Sequence, residues 1–88
     1  MTTPDRDRIR ETVLKYLARA VDDLDPAEVD TSLSMKDLGA NSIDIVEVVS
    51  SSMRELRIKV PRKELNGLKN IDELVQLLHD TALAKAAE

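Results

Sequence analysis

The sequence contains no cysteine, and this absence excludes both a disulfide framework and a thiolate nucleophile supplied by the chain itself. There is one histidine, His79, so a zinc site, which normally takes several histidines or cysteines, is not expected. Tryptophan and phenylalanine are absent, and Tyr16 is the one tyrosine. The core must therefore be built from aliphatic side chains.

Long apolar runs are also lacking. No segment approaches the ~20 apolar residues that span a bilayer, and the N-terminal MTTPDRDRIR has no apolar region of a signal peptide. We therefore expect a cytoplasmic monomer with no membrane partner. Leu, Ile and Val together make 25 of the 88 residues, enough for a folded chain, and the length predicts a single domain over residues 1–88.

Charge is distributed unevenly along the chain. Residues 22–47 hold eight acidic residues and one lysine, a net charge of −7. Residues 54–69 hold six basic and two acidic residues, a net charge of +4. Acidic surface repels a nucleic acid backbone and attracts basic protein surfaces, so a nucleic acid partner is not expected. The basic segment is usually only a solvated face; our hypothesis is that it forms a second docking edge that selects partners.

The periodicity of apolar residues predicts an all-α, four-helix bundle. Helices are predicted at about 4–21, 42–56, 61–66 and 70–84, with a long loop between the first two and a short third helix. Helix one should begin with Thr3 as cap and Pro4 at the first helical position. Helix four should begin at the Asn70-x-x-Glu73 cap.

Two sets of apolar residues should hold this bundle together. Along helix two the helical spacing predicts an apolar stripe, which Ile45 and Val48 widen; its members are Val46, Val49, Met53 and Leu56. In the loop, three isolated apolar residues should attach the chain to the core: Val29, Leu33 and Leu38.

Ser42 stands where the polar loop meets the apolar run of helix two. Serine is a good helix cap, so a purely structural role is one interpretation. A nucleophile is a poor interpretation, because G-x-S-x-G is missing and His79 is far away in the sequence. No catalytic residue is therefore assigned. A third interpretation is a modification site, because a helix N-terminus tolerates an attached phosphodiester.

The stretch DLGANSIDIVEVV, residues 37–49, resembles the D-x-G-x-[DN]-S-[LI]-D-x-x-E signature of acyl carrier proteins. The IKVP segment at 58–61 is similar to the family's I-x-[IV]-P segment before its third helix. The resemblance implies a carrier rather than an enzyme, with 4'-phosphopantetheine attached covalently to Ser42 by a phosphopantetheinyl transferase. It implies partner recognition at Asp37, Ile43, Asp44 and Glu47; from its spacing alone, Ile43 could equally pack inward.

A narrower resemblance comes from four features: LGANSID, Met53, VP at 60–61 and NGLKNIDELVQLL at 66–78. These are similar to discrete carriers of polyketide β-branching cassettes, which implies an acetyl donor served by an acyltransferase or ketosynthase and by a hydroxymethylglutaryl synthase-like enzyme. Other polyketide, fatty-acid, and aminoacyl or peptidyl carriers stay open. From another class, so does a helical interaction module in which Ser42 only caps a helix.

Overall fold

The computed structural model describes residues 4–86, apart from the side chains of Arg62 and Ala86. Within that range it has four α-helices and no strand: α1 Arg6–Ala20, α2 Ser42–Leu56, α3 Arg62–Leu65 and α4 Ile71–Ala86. One short 3-10 helix, Pro26–Glu28, interrupts the long connection between α1 and α2. The predicted all-α, four-helix fold is confirmed.

The start of α1 differs from the expectation. Pro4 is not at the first helical position; Asp5 is the N-cap, and its carboxylate accepts a hydrogen bond of 2.8 Å from the Arg8 N–H. Thr3, the expected cap, lies outside the described residues. A carboxylate satisfies a free N–H and also complements the positive end of the helix dipole, so Asp5 is the better cap.

The core lies between α1, α2 and α4 and is aliphatic, as the composition requires. Ile9, Leu17, Ile71, Leu74 and Leu78 are its largest fully buried side chains. Burial of each such side chain contributes about 1.5–3 kcal/mol. The three long helices therefore hold the domain together through one continuous cluster.

The long loop is attached to this core differently from the expectation. Val29 and Leu38 are half-buried against the core, but Leu33 is 39% exposed, so its predicted inward packing is wrong. Met35 and Ala40 are buried instead. The loop is also anchored through its backbone, because the Leu33 carbonyl accepts from the Ile71 N–H at 3.0 Å. The Thr31 carbonyl accepts in the same way from the Asp72 N–H at 2.9 Å.

The apolar face of α2 is rotated from the predicted stripe. Its buried residues are Val48, Val49, Ser52 and Leu56. Met53 is half-buried against the core, and Val46, a predicted stripe member, is 48% exposed. Apolar spacing favours Val46 because it does not mark a serine as a core residue, yet the small side chain of Ser52 is buried.

A polar cluster joins α1 to α2 on the outside of the bundle. Glu55 accepts hydrogen bonds from the Lys15 ammonium at 2.6 Å and from the Tyr16 hydroxyl at 2.7 Å. The bond from Lys15, followed by that from Tyr16, lowers the pKa of the Glu55 carboxyl. The bond to Glu55 raises the pKa of the Tyr16 hydroxyl. Because a lowered carboxyl pKa favours the folded state only while the group is ionised, this link weakens as the pH falls through that pKa.

No helix in residues 4–86 is both long and apolar enough to cross a membrane.

Ser52 is fully buried, and its hydroxyl oxygen has no hydrogen-bond partner. A buried hydroxyl without a partner costs about 1–3 kcal/mol. We therefore expect Ser52→Ala to raise the free energy of unfolding by about 1 kcal/mol, and the melting temperature by about 4–8 °C. Ser50→Ala on the exposed side of α2 is the matched control, because it makes the same gain in helix propensity alone. Urea denaturation of both variants measures the difference, and equal stabilities would contradict the account.

Candidate functional site

Ser42 is the first residue of α2, and it is exposed at the surface. The chain reaches it through a tight turn in which the Ala40 N–H donates to the Met35 carbonyl at 3.0 Å. Gly39 has a φ of 104°, a backbone conformation that side chains with a Cβ rarely adopt. This turn buries Ala40 in the core and leaves the next residues at the surface, with Ser42 at the start of the helix.

Asn41, and not Ser42, caps α2. The Asn41 side-chain oxygen accepts from the Asp44 N–H at 2.8 Å, and Asp44 Oδ2 accepts from the Asn41 N–H at 3.2 Å. This reciprocal pair is a capping box. The interpretation of Ser42 as the helix cap is therefore wrong, because its neighbour already satisfies the N3 amide.

The Ser42 hydroxyl makes no hydrogen bond to any of the described residues. The helix start also leaves the N–H groups of Ser42 and Ile43 without a partner inside the helix. Outward amides at a helix N-terminus suit an anionic group such as a phosphodiester. The residues present thus fit a phosphate attached to this serine.

The four residues expected to recognise partners lie near Ser42 but in different surroundings. Ile43 is 77% exposed, which decides between its two interpretations. Glu47 is also exposed. Asp44 is half-buried within the capping box, and Asp37 is exposed but accepts from the Ser34 N–H at 3.2 Å. Only Ile43 and Glu47 are both exposed and without a hydrogen-bonding role inside the described chain.

Val46 belongs to the same surface and was missed from sequence. It lies one helical turn after Ile43 and is 48% exposed. The signal that could have found it is the Ser42–Ile43–Val46–Glu47 spacing, which places these residues on the helix side away from Ser52. Together, Ser42, Ile43, Val46 and Glu47 make the N-terminal surface of α2.

A cavity of about 450 Å³ lies along α2 next to this surface, and Val46 lines both. Its floor is apolar and includes Ile45, Val49, Met53, Leu65 and Leu74. The sequence pattern did not distinguish these residues from ordinary packing. No group of three or more His, Asp or Glu residues in the described part of the chain could hold a metal ion.

Comparison with known proteins places most of the chain in one family. Residues 7–78 match the family model described as phosphopantetheine attachment site. The chain is 34% identical over 76 residues to the polyketide biosynthesis acyl-carrier-protein AcpK of Bacillus subtilis (strain 168), covering 86% of this chain and 93% of that protein.

Two further relatives carry the name acyl carrier protein. The protein of Helicobacter pylori (strain J99) is 32% identical over 50 residues, 57% of this chain and 64% of its own. The protein of Clostridium perfringens (strain SM101) is 28% identical over 72 residues, 82% of this chain and 90% of its own. No solved structure gives a significant match.

The capping geometry predicts different losses of stability for two neighbouring substitutions. Asn41→Ala removes an N-cap and should lower the free energy of unfolding by about 1 kcal/mol. Ser42→Ala removes a hydroxyl that bonds to nothing in the described chain, so it should change that energy by less than about 0.5 kcal/mol. Urea unfolding followed by circular dichroism measures both. If Ser42→Ala lowers the free energy of unfolding more than Asn41→Ala does, Ser42 is the cap of α2 and the assignment to Asn41 is wrong.

Proposed function

This chain belongs to the acyl carrier protein family, and we propose that Ser42 is the residue to which its 4'-phosphopantetheine is attached. The family match covers residues 7–78, so the resemblance drawn from sequence is confirmed at the level of the family. Acyl carrier proteins are carriers rather than enzymes; they are substrates of phosphopantetheinyl transferases and of acyl-handling enzymes. The assignment of the attachment point to Ser42 is our proposal.

This assignment rests on the different roles of two adjacent residues, Asn41 and Ser42. Asn41 caps α2, so the helix needs nothing from Ser42. The Ser42 hydroxyl is exposed, and unpaired helix amides lie beside it. A transferase can therefore reach the hydroxyl without unfolding the helix, and the new phosphodiester meets the positive end of the helix dipole.

The chain supplies a hydroxyl and no catalyst. In the loading reaction the Ser42 Oγ–phosphorus bond forms, the pyrophosphate bond of coenzyme A breaks, and the nucleotide part leaves. No described histidine or carboxylate is hydrogen-bonded to Ser42, so the transferase must take up the proton. Once attached, the arm provides a thiol that holds acyl groups as thioesters. The chain therefore needs no cysteine of its own to form a thioester. Tethering raises the effective concentration of the acyl group near its enzymes.

We propose that partners recognise the N-terminal surface of α2 together with the acidic residues around it. Ile43 and Val46 offer apolar contact, and Glu47 offers a charge for a basic enzyme surface. Asp44 and Asp37 are the other two proposed recognition residues. Because both carboxylates already accept internal hydrogen bonds, their role includes shaping the surface as well as adding charge.

We further propose that the chain is the acetyl donor of a β-branching reaction in polyketide biosynthesis, with a hydroxymethylglutaryl synthase-like partner. The support is its 34% identity to a carrier named for polyketide biosynthesis, together with the motifs at 38–44 and 66–78. Fatty-acid carriers and aminoacyl or peptidyl carriers are the alternatives.

The attachment site is tested by loading the purified chain. With coenzyme A and a broad-specificity phosphopantetheinyl transferase, intact mass spectrometry should show a gain of one phosphopantetheine. Ser42→Ala should show none while keeping its circular dichroism spectrum, and Ser50→Ala, an exposed serine of the same helix, should load like the parent chain. Loading of the Ser42→Ala variant would refute the assignment.

The donor role is tested after loading the arm with an acetyl group. Incubation with a hydroxymethylglutaryl synthase-like enzyme and a second carrier that holds a β-ketoacyl thioester should move the acetyl group from this chain to the β-ketoacyl chain, as seen by mass. Ile43→Ala combined with Glu47→Gln should lower kcat/KM about ten-fold, because contact and steering are both lost. Glu64→Gln on α3 is the charge control. Retention of the acetyl group would reject the donor role and leave the Ser42 assignment intact.

A further inference from the structure

The basic segment seen in the sequence does not form one surface in the fold. Lys69 lies next to the start of α4 and lines the cavity beside α2. Arg54 and Arg57 lie where α2 finishes, beside the other end of α4. The end of α4 joins them, because the Lys85 ammonium donates to the Arg57 carbonyl at 2.7 Å. The structure thus gathers a cluster that the sequence did not: Arg54, Arg57, Lys59 and Lys85, called here the basic end.

The basic end is exposed and distant from Ser42. All four side chains are exposed. The fifteen residues of α2 separate Ser42 from Arg57, a distance of about 22 Å along the helix. A partner that covers Ser42 and the N-terminal surface of α2 can therefore reach the basic end only by running along the whole helix.

The cations of the basic end have no carboxylate partners in the described part of the chain. The ion pairs found there are Arg10–Asp7 and Lys15–Glu55. Glu55, the acid closest in sequence to Arg54 and Arg57, is held on the α1 side by Lys15 and Tyr16. The positive charge is therefore available to another molecule.

Arg57 adds a second, independent observation. It has a φ of 58° and a ψ of 40°, the left-handed conformation that helix C-termini normally give to glycine or asparagine. The other non-glycine residue with positive φ in the described chain is Asp23, a residue type that tolerates this region. An arginine has no such local reason. A strained backbone that keeps a large cation at the surface indicates that the side chain is needed there.

Stabilisation of the α2 dipole explains only part of this cluster. A cation in the last turn complements the negative end of a helix, and Arg54 already does so. Lys59 lies beyond the helix, exposed between the buried Ile58 and Val60. Its position adds charge where the dipole effect has faded. Lys85, in contrast, lies in the last turn of α4 and donates to the Arg57 carbonyl, so dipole stabilisation does account for Lys85.

We propose that the basic end is a second docking surface, which binds an acidic surface on a partner protein of this carrier. A protein fits better than a nucleic acid, because no aromatic side chain lies among these residues for base stacking and the whole chain has a net charge of −4. The proposal rests on the carrier role above: a partner with a basic patch for the Ser42 end and an acidic patch for the basic end binds in one orientation. A partner with one patch alone makes half of the contact.

The test is a titration of the 15N-labelled chain with a capped oligo-glutamate peptide of about ten residues at low salt, followed by NMR. Amide shifts should change at Arg54, Arg57, Lys59 and Lys85. The variant Arg54→Gln/Arg57→Gly/Lys59→Gln should bind the peptide about ten-fold more weakly. Glycine at 57 fits the observed φ, so this variant should keep the fold of the parent chain, checked by its melting temperature.

The matched control is Arg6→Gln/Arg8→Gln/Arg10→Gln, which removes the same charge from exposed positions of α1 and should bind the peptide like the parent chain. If peptide binding is weakened equally in both variants, it depends only on the net charge of the chain, and the proposal is overturned. If an oligothymidine binds the same residues more tightly than the peptide does, the proposed protein partner is wrong and a nucleic acid takes its place. Concentration-dependent shifts without peptide would replace it by a second copy of the chain. Loading of Ser42, measured separately by mass, tests the carrier role independently of these outcomes.

Discussion

The capping box at the start of α2 is the interaction on which the site depends. Asn41 and Asp44 exchange two hydrogen bonds and fix the first turn of the helix. Because the helix start is satisfied without Ser42, the serine hydroxyl is left to solvent at a defined place. The turn at Gly39 brings the chain to that place, and the buried Ala40 holds it there. A carrier needs a reactive group that the fold does not use, and this arrangement provides one.

The helices and the family could be predicted from sequence, because aliphatic spacing and a local signature are both short-range features. Three details could not. The cap of α2 could not be assigned from sequence, because Asn and Ser are comparable caps. The geometry of the helix start decides for Asn41. An apolar pattern places Val46 inward, because it cannot mark a serine such as Ser52 as a core residue, and it is Ser52 that is buried. An apolar pattern places Leu33 inward, but Leu33 holds the loop through its carbonyl, and a backbone hydrogen bond has no signature in a hydrophobic pattern.

The basic end shows a different limit of sequence reading. A run of cations along the chain suggested one edge, but the short α3 and the turn before α4 carry Lys69 away from Arg57. Lys85, more than twenty residues later, takes its place beside Arg57. Charge on a surface is set by which ends of helices meet, and that is a tertiary property. The carrier accordingly has acidic and basic character at opposite ends of the same helix.

The two backbone bonds from the α1–α2 loop to the first turn of α4 have a mechanical consequence. The amides of Ile71 and Asp72 would lack intrahelical acceptors in an isolated helix, and here the carbonyls of Leu33 and Thr31 supply them. If the loop lifts away, both bonds break and these two amides are left to solvent. Met35 belongs to this loop and Leu74 to that helix, and both border the cavity beside α2. Widening of the cavity by movement of the loop therefore has to break these two peptide hydrogen bonds, which oppose it.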